Sequence, residues 1–229
     1  TTIKFGVVDS KGHIEQKQIY ETSEWQKKGF VDCLKSCINE FVSTNKDISK
    51  VGIGWPGLLS SDRSTIIQLA NIPEVHHINI VQELQSVLPD ISVKMENDAS
   101  CATLGEMLYG VTEKEDNYVM LTLGTGVGGG IVINRLLFVG GNGNAAEFGH
   151  SLSRDGRELE HILGLNHIIE YAKRRLRDEN PKTILDLSNV TPKAIFEAAE
   201  QGDLVGLDAV GLPHIDDGDE EEGGQDRRP

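Results

Sequence analysis

The sequence has little positive charge, little cysteine and no long apolar run. Its 229 residues contain 22 Lys and Arg against 36 Asp and Glu, which gives a net charge of −14. Such an acidic chain has no electrostatic attraction to phosphate backbones or anionic lipid surfaces, so we expect neither nucleic acids nor membranes as partners. The most apolar stretches, 118–123 and 128–133, have the length of strands and fall well short of the roughly 20 apolar residues of a transmembrane helix.

Three cysteines, Cys33, Cys37 and Cys101, are too few for a disulfide scaffold and suit a reducing compartment. Cys33 and Cys37 lie on a predicted helix, and their spacing separates the Cβ atoms by about 5–6 Å, too far for an unstrained disulfide. No residues have the spacing of zinc ligands, so no metal site is predicted. The first residues also lack the apolar segment of a signal peptide. We therefore expect a cytoplasmic protein.

Negative charge is densest at the end of the chain. Residues 216–229 hold seven acids and two bases, and the run 216–224 has no apolar residue to bury. This composition is typical of a disordered segment, so we expect residues 208–229 to form an acidic disordered tail. An acidic interaction tail is the alternative.

Apolar periodicity predicts alternating strands and helices in the first half of the chain. The predicted strands are 3–9, 14–20, 51–54, 91–95, 118–123, 128–133 and 136–139. The predicted helices are 24–42, 80–88, 98–108, 158–177 and 193–200. This alternation indicates an α/β fold. The change to consecutive strands after residue 112 predicts an N-terminal domain over 1–112 and a partial second domain over 113–207.

Residues 124–129 match the G-x-G-x-x-G spacing of a dinucleotide-binding fingerprint. A second strand follows them where the fingerprint would require a helix, so the glycines are predicted to form the bend of a β-hairpin. The backbone N–H groups of such a bend can hold a phosphate, and Thr125 adds a hydroxyl. A plain tight turn is the alternative.

Asn97 and Asp98 lie where a predicted strand ends and a helix begins, a position at which α/β proteins place ligand-binding groups. The Asp98 carboxylate could accept the proton of a substrate hydroxyl or act only as a helix N-cap. Asn97 offers a donor and an acceptor to a polyol. Glu147 and His150, which follow a glycine-rich loop, could hold neighbouring hydroxyls or be ordinary surface residues.

Taken in order, these motifs resemble those of the ROK family of sugar kinases and repressors. The segments that carry the resemblance are 1–9, 52–57, 96–99, 104–106, 123–130 and 146–150. The ordered set spans roughly residues 1–203. The resemblance implies an actin-like, ribonuclease H-like sugar-kinase fold, in which two α/β domains close over a hexose and ATP.

The resemblance also implies a role for each candidate residue. Asp98 would be the general base for a sugar hydroxyl, usually the 6-hydroxyl, as it attacks the γ-phosphate of Mg²⁺-ATP. The residues that would bind the sugar are Asn97, Glu147, His150 and Glu160. Those that would line the phosphates are Thr1, Gly124, Thr125, Gly126 and Gly128. A homodimer is implied as well.

Three features depart from the family pattern. Thr1 matches only the last residue of the Asp-x-Gly-Gly-Thr phosphate turn with which family members begin. Residues 151–160 contain none of the three cysteines that hold zinc in many members, so a structural zinc is not expected. Residues 204–229 turn to glycine and acid where the family has further helices and a nucleotide loop. We therefore expect a chain shortened at both ends, with an incomplete second domain.

The resulting hypothesis is an ATP-dependent hexokinase, with glucose as the expected substrate. The alternative is a catalytically inactive sugar-binding or regulatory member of the family that lacks a complete ATP site. A repressor would carry a winged helix-turn-helix before the sugar-binding part, and a charge of −14 opposes DNA binding.

Overall fold

The structure, a computed structural model, describes residues 2–69, 72–178 and 181–210. The chain forms two compact units. Unit 1 consists of residues 1–120 and 129–146, and unit 2 consists of residues 121–128 and 147–229. The sequence-based division into 1–112, 113–207 and 208–229 follows the order of the elements along the chain, and it stays a prediction.

Most of the strands lie in unit 1. They are β1 (Thr2–Val8), β2 (Ile14–Glu21), β3 (Lys50–Trp55), β4 (Leu58–Leu59), β5 (Ile66–Gln68) and β6 (Ser92–Asn97). The helices of this part of the chain are α1 (Thr22–Lys28), α2 (Phe30–Thr44), α3 (Ile80–Gln85) and α4 (Asp98–Tyr109). A three-stranded sheet follows in the order β7 (Tyr118–Leu123), β8 (Val127–Ile133) and β9 (Leu136–Leu137). The predicted α/β character is confirmed.

Strands β3 and β6 form the parallel pair that positions the candidate site. They run in register from Lys50 opposite Ser92 to Trp55 opposite Asn97. The carboxyl ends of both strands therefore meet at the same edge. The other pairs of unit 1, β1 with β2 and β4 with β5, are antiparallel.

Aromatic side chains link the β1–β2 hairpin of unit 1 to strand β3. Successive rings lie with their centroids 5.2–5.8 Å apart, in tilted or edge-on arrangements. The rings belong to Phe5, Tyr20, Trp25, Phe30 and Trp55. Such geometries are the favourable ones for aromatic pairs, and they add to the burial of apolar area.

The predicted helix 24–42 is wrong in one respect, because the chain forms two helices, α1 and α2, there. Gly29 separates them with φ +94°, a backbone conformation that no helical residue adopts. Residues on both sides still carry apolar side chains at helical spacing, and Trp25 and Phe30 are both buried. The periodicity therefore runs on through a break in the backbone.

Unit 2 is mainly helical. Its helices are α5 (Leu159–Leu163), α6 (Leu165–Asp178), α7 (Pro192–Glu200) and α8 (Leu204–Val210). Buried side chains of the last three and of the segment between α6 and α7 form its core, namely Ile168, Ala172, Leu185, Val190, Ile195, Ala198, Val205 and Ala209. The predicted single helix 158–177 is wrong, since extended backbone at Gly164 (ψ 147°) divides it into α5 and α6.

The predicted start of α7 is confirmed. Pro192 occupies the first turn, and the Thr191 hydroxyl accepts a hydrogen bond of 3.2 Å from the N–H of Ala194. Helix α8 includes the first residues of the predicted tail, Asp208 to Val210, while residues 211–229 lie outside the described part of the chain. The disorder of the tail stays a prediction.

The three cysteines are free, as expected from their spacing. Within residues 2–69, 72–178 and 181–210, none of the helices has both the length and the apolar character needed to cross a bilayer.

Candidate active site

One group of candidate residues lies at the carboxyl end of β6 in unit 1. Asn97 is the last residue of the strand, and Asp98 begins α4. The Asn97 side chain accepts a hydrogen bond of 3.1 Å from the N–H of Ser100 and donates one of 3.3 Å to the carbonyl of Gly57. Asn97 is therefore the N-cap of α4, and it ties this corner to the loop that follows β3.

This capping leaves Asp98 available for another purpose. The exposed Asp98 carboxylate accepts a hydrogen bond from the adjacent Ala99 N–H at 2.9 Å through its Oδ1 atom. The N-cap role that the sequence left open for Asp98 belongs to Asn97 instead. Asp98 thus stands in the first turn of α4.

A half-buried ion pair supports this corner. The Glu96 carboxylate lies 2.9 and 3.0 Å from Nε of Arg63, and its Oε1 atom accepts a hydrogen bond of 2.9 Å from the N–H of Asn97. Arg63 also donates through Nη2 to the carbonyl of Gly143. The side chains of Arg63 and Glu96 are only 16% and 21% exposed, so water screens their attraction weakly.

Cys101 lies one turn beyond Asp98 on α4. Burial raises the pKa of its thiol to about 11, and the charges of Glu96 and Asp98 raise the pKa in the same direction. A thiol with this pKa stays protonated at neutral pH and is a poor nucleophile. The Cys101 thiol is therefore unsuited to act as a nucleophile at neutral pH.

Another group of candidate residues lies in unit 2, around the glycine-rich hairpin. The predicted hairpin is confirmed, because residues 124–126 connect β7 to β8 and the Gly124 N–H bonds to the Gly126 carbonyl at 2.9 Å. The N–H of Leu165, at the start of α6, bonds to the carbonyl of Gly124 at 2.8 Å. The hairpin is thereby held against the junction of α5 and α6.

Glu160 reaches this hairpin from α5. A Cβ atom added at Gly126 would lie 2.6 Å from Oε2 of Glu160, whereas one added at Gly124 would meet no atom closer than 3.9 Å. Gly126 therefore makes room for a carboxylate, and Gly124 leaves open space. The negative charge of Glu160 beside Gly126 is suited to hydroxyl donors and opposes an anionic group at that position.

His150, Glu158 and Glu160 form a cluster in unit 2. One ligand atom of each lies within 4.8 Å of the others, and Nδ1 of His150 is 3.5 Å from Oε2 of Glu158. The cluster forms because the chain turns back between residues 151 and 159, with a hydrogen bond of 2.9 Å from the Leu159 N–H to the Ser151 carbonyl. Glu147 directly precedes the short 3-10 helix Phe148–His150.

The structure thus groups the predicted site residues by unit. Asn97 and Asp98 are neighbours in unit 1, and Gly126, His150 and Glu160 come together in unit 2. Thr1 lies outside the described residues. The predicted roles of all the candidates stay predictions.

Sequence reasoning missed Arg63 and Glu158. Arg63 carried no local signal, because its partners Glu96 and Gly143 are 33 and 80 residues away. Glu158 could have been found from the turn-forming residues between His150 and Glu158, which predict that the chain returns there.

The chemistry of these groups can be compared with the ligands that the family resemblance implies. One imidazole and two carboxylates are a donor set that suits a divalent cation. A zinc site built on His150 and cysteines just after it does not fit, because residues 151–160 contain no cysteine. The absence of a structural zinc stays a prediction. For ATP, the open space at Gly124 and the exposed Thr125 are compatible with a phosphate.

Residues 1–212, which include both groups of candidate residues, match the ROK family. The chain belongs to the ROK family. It is 30% identical to the glucokinase of Thermotoga maritima, over 90% of this chain and 69% of that protein.

Two solved structures are similar to this chain. A candidate sugar kinase from Cytophaga hutchinsonii is 41% identical with a TM-score of 0.84, and the match covers 92% of this chain and 72% of that one. A ROK family glucokinase from Streptomyces griseus, in complex with glucose and AMPPNP, is 31% identical with a TM-score of 0.74, over 91% and 71% of the two chains. The predicted actin-like sugar-kinase fold is confirmed, and this ROK chain spans 69–72% of the length of these relatives.

Proposed function

We propose that this chain transfers the γ-phosphate of ATP to a hexose, with glucose as the substrate and its 6-hydroxyl as the acceptor. The proposal is supported by relatives that are glucokinases, one of them in complex with glucose and the ATP analogue AMPPNP. A cytoplasmic location and a homodimer stay predictions.

The observation that carries the proposal is the position of the exposed Asp98 carboxylate at the start of α4. Asn97 caps α4, so the exposed Asp98 carboxylate is not required for holding the helix together. A carboxylate at the end of a parallel strand, fixed by its backbone at the start of a 12-residue helix, is well placed to remove a proton from a hydroxyl.

The reaction needs little more than positioning and neutralisation of charge. Asp98 takes the proton of the sugar 6-hydroxyl, whose oxygen forms the new bond to the γ-phosphorus. The bond from that phosphorus to the oxygen bridging to the β-phosphate breaks, and ADP leaves with the electron pair. ATP enters as its Mg²⁺ complex, and the metal ion supplies positive charge to the phosphates.

The remaining candidates bind the two substrates. The hexose hydroxyls are bound by Asn97, Glu147, His150 and Glu160. The phosphates of ATP lie against the hairpin residues Gly124, Thr125 and Gly128, with Thr1 at the start of the chain. Gly126 is left out of this set because the Glu160 carboxylate beside it repels a phosphate. The carboxylates of Glu147 and Glu160 accept hydrogen bonds from hydroxyls, while Asn97 keeps one amide N–H beyond the hydrogen bond to Gly57.

Replacing the base tests the proposal directly. In a coupled assay that detects ADP, Asp98→Asn should lower kcat by about 100-fold or more, since general-base catalysis contributes typically 10²–10⁴-fold. Hexose affinity, measured by calorimetry, should change little. The matched control is Asp90→Asn, which removes an exposed carboxylate at the opposite end of β6. Equal activity of both variants would exclude Asp98 as the base.

Calorimetry of the unmodified chain separates the kinase from an inactive sugar-binding protein. Binding of glucose and of Mg²⁺-ATP, followed by turnover, supports the kinase. Binding of glucose without binding of ATP would assign the chain to the sugar-binding alternative. A panel of hexoses in the same assay would settle the sugar specificity.

A further inference from the structure

The loop between β4 and β5 in unit 1 holds an arginine in an unusual backbone conformation. Arg63 has φ +59°, in the left-handed region that residues with a side chain seldom adopt. The loop is fixed by its own polar groups, since the Ser60 hydroxyl bonds to Asp62 at 2.6 Å and the Ser64 hydroxyl bonds to Asp62 at 2.9 Å. An unfavourable conformation that the surrounding loop enforces points to a constraint on the position of the side chain.

The Arg63 guanidinium connects two segments that carry candidate residues. Its Nε atom pairs with the Glu96 carboxylate, which in turn accepts a hydrogen bond of 2.9 Å from the N–H of Asn97. Its Nη2 atom donates to the carbonyl of Gly143. One side chain thus holds the strand end just before Asp98 and also the loop that leads along the chain to Glu147.

The loop is shaped to receive this arginine. Gly143 has φ +88°, and a Cβ atom there would lie 2.7 Å from Nη1 of Arg63. The side chain of the next residue, Asn144, accepts a hydrogen bond of 3.2 Å from the N–H of Leu59 and donates one of 3.1 Å to the Leu59 carbonyl. The loop therefore lies against the β4–β5 region in a single arrangement that requires glycine beside the guanidinium.

We propose that Arg63 is a positioning residue of the kinase reaction. It acts on Asp98 through Glu96, and through Gly143 it acts on the loop that leads to the proposed sugar-binding residue Glu147. The inference rests on the proposed function. Its two contacts give two separable effects. The contact with Glu96 orients Asn97 and Asp98, so its loss should lower kcat. The contact with Gly143 orients the loop before Glu147, so its loss should raise the KM for the hexose.

Three variants separate the two contacts. Arg63→Met removes both, and we expect kcat to fall and the hexose KM to rise, each by about 10- to 100-fold, as for a misplacement of about 1 Å. Arg63→Lys keeps the charge beside Glu96, but a single ammonium group cannot also reach Gly143, so kcat should recover to within about threefold while KM stays high. Gly143→Ala should raise KM more than it lowers kcat, because the new methyl group meets Nη1 of Arg63 and not the Nε atom that pairs with Glu96.

Arg135 provides the matched control. It also has left-handed backbone (φ +60°), and its Nη1 atom donates to a backbone carbonyl, that of Glu113, at 2.6 Å, but it is exposed. Arg135→Met should leave both constants unchanged. Tryptophan fluorescence of each variant identifies misfolding, and if Arg63→Met does not fold, Arg63→Lys and Gly143→Ala still test the inference.

The wild-type assay distinguishes the two proposals. If the wild-type chain turns over hexose but the three variants keep wild-type kcat and KM, the role of Arg63 is wrong and the kinase proposal stands. If the wild-type chain binds hexose without turnover, the kinase proposal fails. Weaker hexose binding by Gly143→Ala, but not by Arg135→Met, would then still support the role of the contact between Arg63 and Gly143 in hexose binding. Unchanged binding would overturn that role. If the wild-type chain neither binds nor phosphorylates any hexose, both proposals are overturned.

Discussion

At the scale of single residues, two glycines determine how closely charged groups approach the backbone of the candidate site. A Cβ atom added at Gly126 would lie 2.6 Å from the Glu160 carboxylate, and one added at Gly143 would lie 2.7 Å from the Arg63 guanidinium. If either glycine were alanine, the neighbouring charged group would have to move. The orientation of two charged side chains therefore depends on residues that have no side chain.

Gly126→Ala should weaken hexose binding by about 10-fold or more, because displacing a charged hydrogen-bond partner costs about 1.5–3 kcal/mol. The added methyl group would push Glu160 out of its position. Calorimetry with glucose measures the effect. Gly124→Ala, where the nearest atom to the new methyl group is 3.9 Å away, is the control and should keep hexose affinity. Equal hexose affinity of the two variants would argue against a sugar-binding role for Glu160.

The sequence predicted the candidate residues that belong to motifs, but it did not predict their supports. Asp98 and Asn97 were found because a strand followed by a helix is a local pattern. The choice between them as N-cap depends on the side-chain rotamer of Asn97, which a sequence does not show. Arg63 was missed for a different reason, since its contacts arise only when distant segments of unit 1 fold together.

At the scale of elements, side-chain caps mark where some of the helices begin. Asn97 caps α4 and Thr191 caps α7, each accepting a hydrogen bond from an N–H three residues on. Asp203 does more at α8. It accepts four hydrogen bonds of 2.7–3.1 Å, from Thr183 Oγ1, Ile184 N, Val205 N and Gly206 N. This one carboxylate fastens the segment before α7 to the start of α8.

Asp203→Ala should lower the free energy of unfolding of unit 2 by about 1–3 kcal/mol, the range for hydrogen bonds to a charged group. Although burial opposes ionisation, the hydrogen bonds outweigh it and lower the pKa of Asp203 below its usual 3.8. The stabilisation is therefore present above pH 3.8 and is lost as the pH falls through the lowered pKa of the folded state.

Urea unfolding at pH 7 and below pH 3.8 measures both effects, with hydrogen exchange in the segment 165–178 as the probe of unit 2. Asp203→Asn keeps the size of the side chain and removes the charge, so its dependence on pH in this window should be smaller than that of the wild type. A remainder comes from Asp155 and Asp186, whose pKa values are also lowered by hydrogen bonds. Asp178→Asn, an exposed change at the end of α6, is the control. A dependence in Asp203→Asn as large as that of the wild type would contradict the assignment.

Element boundaries show where local patterns are insufficient. The start of α7 was predicted because Thr191 and Pro192 are themselves the signal. The break between α5 and α6 was not, because the apolar spacing continues through Gly164. Its cause is a non-local contact, since a Cβ atom at Gly164 would lie 2.6 Å from the carbonyl oxygen of Thr125 in the hairpin.

At the scale of the whole molecule, the titrating groups differ between the units. Among the described residues with a raised pKa, all are in unit 1. A hydrogen bond with Cys37 and burial raise the pKa of Tyr20 to about 12, burial raises the pKa of Cys37, and burial raises that of Cys101 to about 11. Both tryptophans of the chain, Trp25 and Trp55, also lie in unit 1.

Unit 1 should therefore lose stability first as the solution becomes alkaline. A raised pKa stabilises the folded state below the ordinary pKa, which is 9.0 for cysteine and 10.0 for tyrosine, and the stabilisation is lost between there and about pH 12. Tryptophan fluorescence in urea at pH 8, 10 and 11.5 should show unfolding at falling urea concentrations. Hydrogen exchange should rise in 30–44 before 165–178, and the reverse order would contradict the prediction.

The division of the chain between the units bears on its synthesis. The chain passes from unit 1 to unit 2 after residue 120, returns after residue 128 and leaves again after residue 146. A ribosome has therefore delivered every residue of unit 1 once Ala146 has emerged. Residues 121–128 emerge with them, but the helices against which their hairpin packs are still to be translated. The glycine-rich bend is thus the first part of unit 2 to be translated, and the helices that pack against it follow only after the last residue of unit 1.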